Sequence, residues 1–423
     1  NCILEYIKLP DVLDEDANLA NVSQLTRIGD YAFYNCLNLD TALIPSQITE
    51  IGDYAFAYCK NVVNLAIPQG VEALGNYSFY HCESLPTITV PSSVNKDLIG
   101  SHVFAYCTSI HTLYLENNAL GVKMFSNCIS LLSVVIPEGV TTIESATFEN
   151  CTNLRYVAIP ETVTLIQEAA FKQCASLEIL ILPFIGSERG NSGRAQDLFG
   201  WIFGLISEEN SSFPGAIQVD QYNYYDRNNK NNIQYRKVYV PSTLREVYIT
   251  DETVIGYGAF SNMHMLSKVV IAQDLSFYSD PNHIFEITYG EDDSITGCVL
   301  PSQNSDVYND LYIYKDNTYV MPDQTTPLNE VESLESMLDF YSLYVDENIE
   351  HMYSYAFSNA NGLLNGFLGM ANISNAEYAF NDCTGMKYCY MPNATGRQAN
   401  NMFAYCTSLK RVLLPDTLTT LGE

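Results

Sequence analysis

The chain has 423 residues, of which 47% are hydrophobic and 16% are charged, so it can bury a large core and is not a disordered polyelectrolyte. Its 49 acidic residues against 20 Lys and Arg give a net charge of −29, which disfavours nucleic acid and anionic membrane surfaces as partners. No apolar run approaches the roughly 18 residues of a membrane-spanning helix, so this sequence predicts no membrane span.

A Phe followed three residues later by a Cys recurs about every 23 residues, and a period of this length is typical of a solenoid. An aligned unit reads I-G-x-x-A-F-x-x-C-x-x-L-x-x-V-x-I-P, and about 15 such coils fit the chain. The seven units that open the chain carry Phe33, Phe56, Phe79, Phe104, Phe125, Phe148 and Phe171.

Each unit predicts one strand and one short turn. In "LRYVAIP" the alternation of Val157 and Ile159 predicts a strand that Pro160 ends. The "AFENC" half is expected to form a short helical turn, with Phe148 and Cys151 projecting together into the core. Stacked coils would then carry one internal ladder of Phe and one of Cys.

The repeats divide the chain into four stretches of one solenoid, residues 1–423. They are regular repeats 1–183, an insertion 184–239, repeats with irregular units 240–332 and regular repeats 333–423. "LYVD" is interpreted as the strand of one degenerate unit, Ile295 with Cys298 as that of another, and "LYIYKDNTYVMP" as one more. Because "NCILEYIKLP" and "LPDTLTTLGE" both resemble interrupted units, the sequence is interpreted as a fragment of a longer chain.

All twelve cysteines have a place in the predicted core, so we expect free buried thiols rather than disulfides. Metal ligation is not expected, since no CxxC pair or clustered His occurs. Although His81 precedes Cys82, that thiol belongs to the core ladder and is not interpreted as a nucleophile. Known catalytic and phosphate-binding motifs are also missing from the sequence, which indicates a protein that is not an enzyme and has no cofactor.

The outward positions of the predicted strands are apolar and aromatic, which is typical of a protein-binding face. Tyr114, Tyr156, Tyr388 and Tyr390 are the candidate anchors, and Trp201 of the insertion is a further candidate. Two alternatives remain open. Aromatic residues favour strands whether or not they bind anything, and the insertion could simply cover the core.

The unit resembles the BspA-like, or Treponema-type, leucine-rich repeat, most clearly in "IGDYAFAYCKNVVNLAIP" and "TVIGYGAFSNMHML". The stretch "LFGWIFG…YVPSTLREVYIT…IGYGAF" is similar to a spacer that recurs in such proteins. Together, the repeat and the resemblance give the fold class: an α/β repeat solenoid, a right-handed leucine-rich-repeat coil with a β-sheet on one face and short helical or 3-10 turns on the other.

The resemblance also implies a surface-exposed or secreted protein of host-associated microbes that adheres to host matrix or microbial surface proteins. We therefore expect a monomeric, non-enzymatic adhesion module at the cell surface that binds a protein ligand through the sheet. The alternatives are a carbohydrate-binding appendage, since exposed tyrosines can stack on sugars, or a passive spacer of a larger secreted protein.

Overall fold

The computed structural model describes residues 4, 6–8, 25–190, 195–205, 213–225, 233–272, 286–289, 295–299, 313–315, 318–320 and 341–422. It is a parallel β-solenoid of about 13 turns with ~23 residues in each turn. The repeat period therefore predicted the architecture, with slightly fewer turns than expected.

Most regular coils contribute two strands. The longer one is the predicted Leu-to-Pro segment, and the shorter one ends at the Ile before the Gly of the I-G pair, as at Ile28 and Ile51. In chain order the strands are β1 (Tyr6–Lys8), β2 (Arg27–Ile28), β3 (Thr41–Leu43), β4 (Glu50–Ile51), β5 (Asn64–Leu65), β6 (Ala73–Leu74), β7 (Thr87–Val90), β8 (Thr112–Leu115), β9 (Ser133–Val135), β10 (Thr142–Ile143), β11 (Tyr156–Ala158), β12 (Leu165–Ile166), β13 (Ile179–Leu182), β14 (Ala216–Tyr225), β15 (Ile233–Pro241), β16 (Glu246–Ile249), β17 (Val254–Ile255), β18 (Lys268–Ile271), β19 (Glu286–Tyr289), β20 (Ile295–Val299), β21 (Ile313–Lys315), β22 (Thr318–Val320), β23 (Leu343–Val345), β24 (His351–Met352), β25 (Asn365–Leu368), β26 (Tyr388–Tyr390), β27 (Gly396–Arg397), β28 (Arg411–Leu413) and β29 (Leu418–Thr420).

The longer strands build parallel sheets along one side of the solenoid. The largest has nine strands in the order β28-β26-β25-β23-β18-β16-β13-β11-β9, and two smaller sheets have the orders β1-β3-β5 and β7-β8. The short strands form parallel ladders of their own, β2-β4-β6, β10-β12, β17-β24 and β27-β29, which the sequence analysis did not predict. Their signal is a buried Ile, Leu or Met at a fixed place in most units, such as Ile143, Ile166 and Leu74.

The segment that carries Phe and Cys is a stacked turn, so the predicted helical turns and the α/β class are not confirmed. Among the described residues the helical segments are three short 3-10 pieces, Lys96–Leu98, Ala195–Asp197 and Phe199–Phe203, none of them in a regular coil's Phe-Cys turn. In each unit the second residue before the Phe and the second residue after it have left-handed backbone, which no α-helix tolerates. Along the solenoid these residues form two columns. The first column is Tyr31, Tyr54, Tyr77, His102, Lys123, Ala146, Ala169, Gly258, Tyr355, Tyr378 and Asn401, and the second is Asn35, Tyr58, His81, Tyr106, Asn127, Asn150, Gln173, Asn262, Asn359, Asp382 and Tyr405.

The left-handed residues let the turn bond in two directions. The N–H of Phe56 donates to the O of Ser78 in the next coil (2.8 Å), while the N–H of Cys59 donates to the O of Phe56 in its own coil (3.2 Å). Alternate N–H groups thus serve the neighbouring coil and the local turn, so a buried segment without helix or strand still satisfies its backbone donors.

The Phe and Cys ladders lie inside the solenoid as predicted. Phe56 and Phe79 stack with ring centroids 5.5 Å apart at an angle of 3°. The Cys82 thiol donates to the O of Phe56 in the preceding coil (3.4 Å). The same bond recurs, at 3.0 to 3.3 Å, from Cys59, Cys107, Cys128, Cys151, Cys174, Cys383 and Cys406.

Ten cysteines lie in the described part of the chain, and all ten are free thiols, nine of them buried. Burial raises the pKa of the Cys151 thiol to about 12 and that of Cys383 to about 12, so both stay protonated at neutral pH. The side chains of Cys2 and Cys298 lie outside the described residues. Met263 and Ala360 are fully buried at the Cys position of their coils, in keeping with a packing role for that position.

The first insertion leaves the sheet continuous. Strand β13 pairs directly with β16. Between these strands the 3-10 segment Phe199–Phe203 takes the place of a Phe-Cys turn. The ring centroids of Phe199 and of Phe260 in the following coil are 5.1 Å apart. The antiparallel hairpin β14–β15 completes this insertion.

The irregular region differs from the prediction. Strand β20, which contains Ile295 and Cys298, pairs antiparallel with β19, and β21 pairs antiparallel with β22, so neither segment joins the parallel sheet as a repeat strand. Strand β23, the "LYV" segment, does join it between β18 and β25. On the turn side, however, Phe260 stacks directly on Phe357 (5.4 Å, 7°), so the coils on either side of β23 touch there.

Truncation of a ladder ring tests the core. Phe148 is fully buried and stacks on both Phe125 and Phe171. Phe148→Ala is expected to lower the free energy of unfolding by about 3–5 kcal/mol, measured by urea denaturation. Exposed Val135→Ala is the control, expected within about 0.5 kcal/mol of the parent; equal losses in the two variants would contradict a stacked core.

The buried thiols predict instability at alkaline pH. Because the folded-state pKa of Cys151 is raised to about 12 while an unfolded thiol ionises near 8.5, its stabilisation is complete below about pH 8.5 and is lost as the pH rises towards 12. The free energy of unfolding should therefore fall across this range, and less steeply in Cys151→Ala. Half-buried Cys406, whose pKa is raised to about 11, gives a smaller change when replaced by Ala. Identical pH slopes in all three proteins would refute the assignment.

Candidate binding surfaces

The outward side chains of six strands of the nine-stranded sheet, β16, β18, β23, β25, β26 and β28, form two neighbouring rows, which we call the sheet face. Inward residues such as Val247, Val269 and Leu343 are buried in the core. The residues directly before and after each of them on its strand therefore point away from the core. Strand register sets the rows. The polar row is Glu246, Lys268, Ser342, Asn365, Tyr388 and Arg411, and the aromatic row is Tyr248, Val270, Tyr344, Phe367, Tyr390 and Leu413.

Three rings of the aromatic row are in contact across β23, β25 and β26. Tyr344 stacks on Phe367 (5.0 Å, 5°), and Phe367 meets Tyr390 edge to face (5.6 Å, 70°). Burial, with a smaller effect of Asp346 and Glu347, raises the pKa of Tyr344 to about 12, so its phenol stays neutral. Phe367 and Tyr390 are only half-buried, which leaves part of this row accessible.

The structure separates the candidate anchors. Tyr388 and Tyr390 lie on one strand, and both are half-buried. Tyr114 is 54% exposed, but it lies on β8, in the separate two-stranded sheet with β7. The three tyrosines therefore share an outward orientation without forming one cluster.

Tyr156 does not face solvent, contrary to the prediction. Its side chain is 0% exposed, and so is that of Ile179, its register partner on β13. Ala158 and Ile181 on the same two strands are also buried. Here the apolar outward residues belong to a packed layer, so their composition reflects burial rather than an exposed binding surface.

Trp201 is held in place by the fold. Its side chain is half-buried against the core, and its indole Nε1 donates to the O of Ile166 (3.0 Å). The O of Trp201 in turn accepts the N–H of Ala169. These contacts join the insertion to the preceding coil and account for the single tryptophan without a ligand.

Buried carboxylates also serve the fold. Glu246 accepts the hydroxyl of Tyr248 (2.6 Å) on the sheet face. Glu252 accepts the backbone N–H groups of Ile185 (3.3 Å) and Gly190 (3.1 Å) in the insertion and of Thr253 (2.9 Å) after it, while burial raises the pKa of its carboxyl. Within the described ranges no group of three His, Cys, Asp or Glu could hold a metal ion, and no helix could cross a bilayer.

A second aromatic surface, which we call the turn-edge cluster, went unnoticed in the sequence. It consists of Tyr31, Tyr34, Tyr54, Tyr58, Tyr77, Tyr80, His81, His102 and Tyr106. Tyr54 stacks on Tyr31 (4.9 Å, 5°) and on Tyr77 (4.7 Å, 9°), so the ring faces largely cover one another. The repeated "DYAF" and "NYSF" were the signal, since each places a Tyr two residues before the ladder Phe.

Two histidines belong to this cluster. His81 lies between the rings of Tyr58 (5.0 Å) and Tyr106 (4.5 Å), and its Nδ1 is 2.9 Å from Glu83 Oε1. Lys60, which hydrogen-bonds to Glu83, lowers the pKa of that carboxyl. Burial lowers the pKa of His102, so this ring is neutral at pH 7.

The repeat geometry agrees with a family comparison. The model of the BspA type leucine rich repeat region matches six copies in residues 26–122, 118–187 and 331–423, more than half of the chain. The chain belongs to this family. The leucine-rich repeats of the family are thus the coils described above, and the resemblance found in the sequence is confirmed.

Solved leucine-rich repeat proteins are similar to this chain at low identity. One from Bacteroides ovatus is 16% identical over 99% of this chain and 75% of its own, with a TM-score of 0.42. One from Treponema pallidum is 30% identical over 36% of this chain and 72% of its own, with a TM-score of 0.33. A leucine rich cell surface protein from Faecalibacterium prausnitzii is 17% identical over 93% and 89%, with a TM-score of 0.34. No curated protein matches the chain.

The different environments of the tyrosines predict different effects on stability. Tyr156→Ser removes a fully buried ring and should cost about 3 kcal/mol or more of unfolding free energy, as large core truncations do. Tyr114→Ser removes an exposed ring and should change it by no more than about 0.5 kcal/mol. Urea denaturation of both variants measures the difference, and similar values would contradict the assigned burial.

Proposed function

We propose that this protein is a non-enzymatic, monomeric interaction module at the cell surface or outside the cell, which binds a host-matrix or microbial surface protein through the sheet face. Membership of a leucine-rich repeat family supports a role in protein interaction. The net charge of −29 argues against nucleic acid as the partner. One neighbour in structure is described as a cell surface protein, which is consistent with the proposed location.

The accessible part of the aromatic row is the observation that carries the proposal. Phe367 and Tyr390 are in contact on adjacent strands, half-buried and rigidly supported by the sheet, and Tyr388 lies beside them in the polar row. Ordered aromatic side chains bury a large area at a low cost in conformational entropy, so they suit a protein interface. Tyr114 is proposed as a separate contact at the other sheet.

Direct binding measurements test this proposal. Fibronectin, fibrinogen and a panel of microbial surface proteins are immobilised, and the parent protein is compared with the triple variant Tyr114→Ser, Tyr388→Ser, Tyr390→Ser. We expect capture by at least one ligand and a loss of about tenfold or more in the variant, as for the removal of interface anchors.

The matched control is Tyr31→Ser with Tyr405→Ser, since these turn-side tyrosines are 56% and 75% exposed. Circular dichroism checks that every variant is folded. If no ligand is captured by the parent, the interaction role loses its support. If capture is lost in the control and kept in the triple variant, the turn side carries binding and the sheet face does not.

A further inference from the structure

One stretch of this acidic chain has only positive charge. Between Cys383 and Pro415 the sequence contains Lys387, Arg397, Lys410 and Arg411 and no Asp or Glu, although the chain as a whole carries −29. Three of these cations lie at the start of two neighbouring strands of the nine-stranded sheet, where the O of Lys387 accepts the N–H groups of both Lys410 and Arg411. Lys387 precedes Tyr388 of β26, and Lys410 precedes Arg411 of β28. Tyr388 and Arg411 are register partners.

The lysines are direct neighbours. The N–H of Lys410 donates to the O of Lys387 (2.8 Å), as expected for residues on adjacent parallel strands. Lys410 and Arg411 are exposed, and Lys387 is half-buried. Like charges on directly opposite residues repel each other, so this arrangement destabilises the sheet unless an anion lies between them.

An earlier coil shows what the same position does when it is paired. Arg155 and Glu178 hold the equivalent position of two consecutive earlier coils, directly before the sheet strand, and they form an ion pair of 2.6 Å. Side chains at this position therefore reach one another across the strand spacing. In the described part of the chain, Lys387 and Lys410 have no such carboxylate partner, so both can reach one external anion.

The residues beside the cations indicate what else the ligand carries. Tyr388 and Tyr390 offer half-buried rings on the same strand. Asn365, the register partner of Tyr388, is 4% exposed, and its Oδ1 has no hydrogen-bond donor. A ligand that fits all three features has anionic groups, apolar C–H faces and hydroxyl donors within a short span.

We propose that Lys387, Lys410 and Arg411, with Tyr388 and Tyr390, form a binding site for a short anionic glycan that carries sulfate or uronate groups. The ammonium groups and the planar guanidinium would bind sulfate or carboxylate by charge-assisted hydrogen bonds. Sugar C–H faces would lie on the tyrosine rings. A flexible acidic peptide offers carboxylates but not rigid C–H faces, and a long nucleic acid is repelled by the rest of the molecule.

The test is calorimetric titration at physiological salt with a tetrasaccharide prepared from heparin. The neutral tetrasaccharide of N-acetylglucosamine and a poly-Glu peptide are the comparison probes. We expect the heparin fragment to bind most tightly of the three probes, and we expect its affinity to fall as the salt concentration is raised. The variant Lys387→Gln, Lys410→Gln, Arg411→Gln should lose about tenfold or more in affinity.

The charge-matched control is Lys96→Gln, Arg236→Gln, Lys237→Gln, which lowers the positive charge equally away from the site and should change affinity by less than about twofold. Equal losses in both triple variants would show that only net charge matters and would overturn the site. An undetectable affinity of the parent, or tighter binding of the poly-Glu peptide, would overturn the choice of ligand.

A single variant separates a binding role from a purely structural one. Lys410→Glu should restore the pairing seen at Arg155 and Glu178, so we expect a higher melting temperature together with loss of heparin-fragment binding. A lower melting temperature would show that the two lysines do not repel each other and would contradict the argument. The site shares the sheet face with the proposed protein interaction but is tested with different ligands, so either can fail without the other.

Discussion

In eight coils the carbonyl of the ladder Phe accepts two hydrogen bonds, and these bonds fix the turn of one coil against the turn of the next. The O of Phe125 receives the N–H of Cys128 within its own turn (3.2 Å) and the thiol of Cys151 from the following coil (3.2 Å). Cysteine suits this position because it is small and apolar yet still donates a weak bond. A Ser hydroxyl would be costly to desolvate, and Ala fills the space without donating.

The left-handed columns give each coil the same backbone course at the turn. Once alternate N–H groups bond to the next coil, successive turns must lie in register, so rings two residues before the Phe are placed one above another. Tyr54 on Tyr77 is one result, and Tyr355 on Tyr378 (5.1 Å, 5°) is another, far along the chain. The sheet provides the same regularity on the opposite side, where side-chain identity can vary without disturbing the core.

Of the features that repeat with the period, the sequence predicted the sheet strands and the Phe and Cys ladders, and it failed where one pattern has two physical origins. The spacing of Phe148 and Cys151 suits both a helical turn and a stacked turn, and nothing in composition reveals left-handed backbone at Ala146 or Asn150. An apolar outward residue looks the same in sequence whether it is exposed, as Tyr114 is, or covered, as Tyr156 is. The position of every charged residue can be read from the sequence, but only the strand register shows that Lys387 and Lys410 are neighbours.

Strand β23 has a mechanical consequence. Between the coils of Phe260 and Phe357 the sheet side contains this additional strand, whereas the two rings touch on the turn side and the short strands β17 and β24 are direct neighbours. One strand width of about 4.8 Å is therefore present on a single side of the stack. A wedge of this kind tilts the coils that follow it relative to the coils that precede it. The three-residue strand β23 thus influences the direction in which the C-terminal part of the sheet face points. It does so through β25, which lies between it and the strand of Tyr388 and Tyr390.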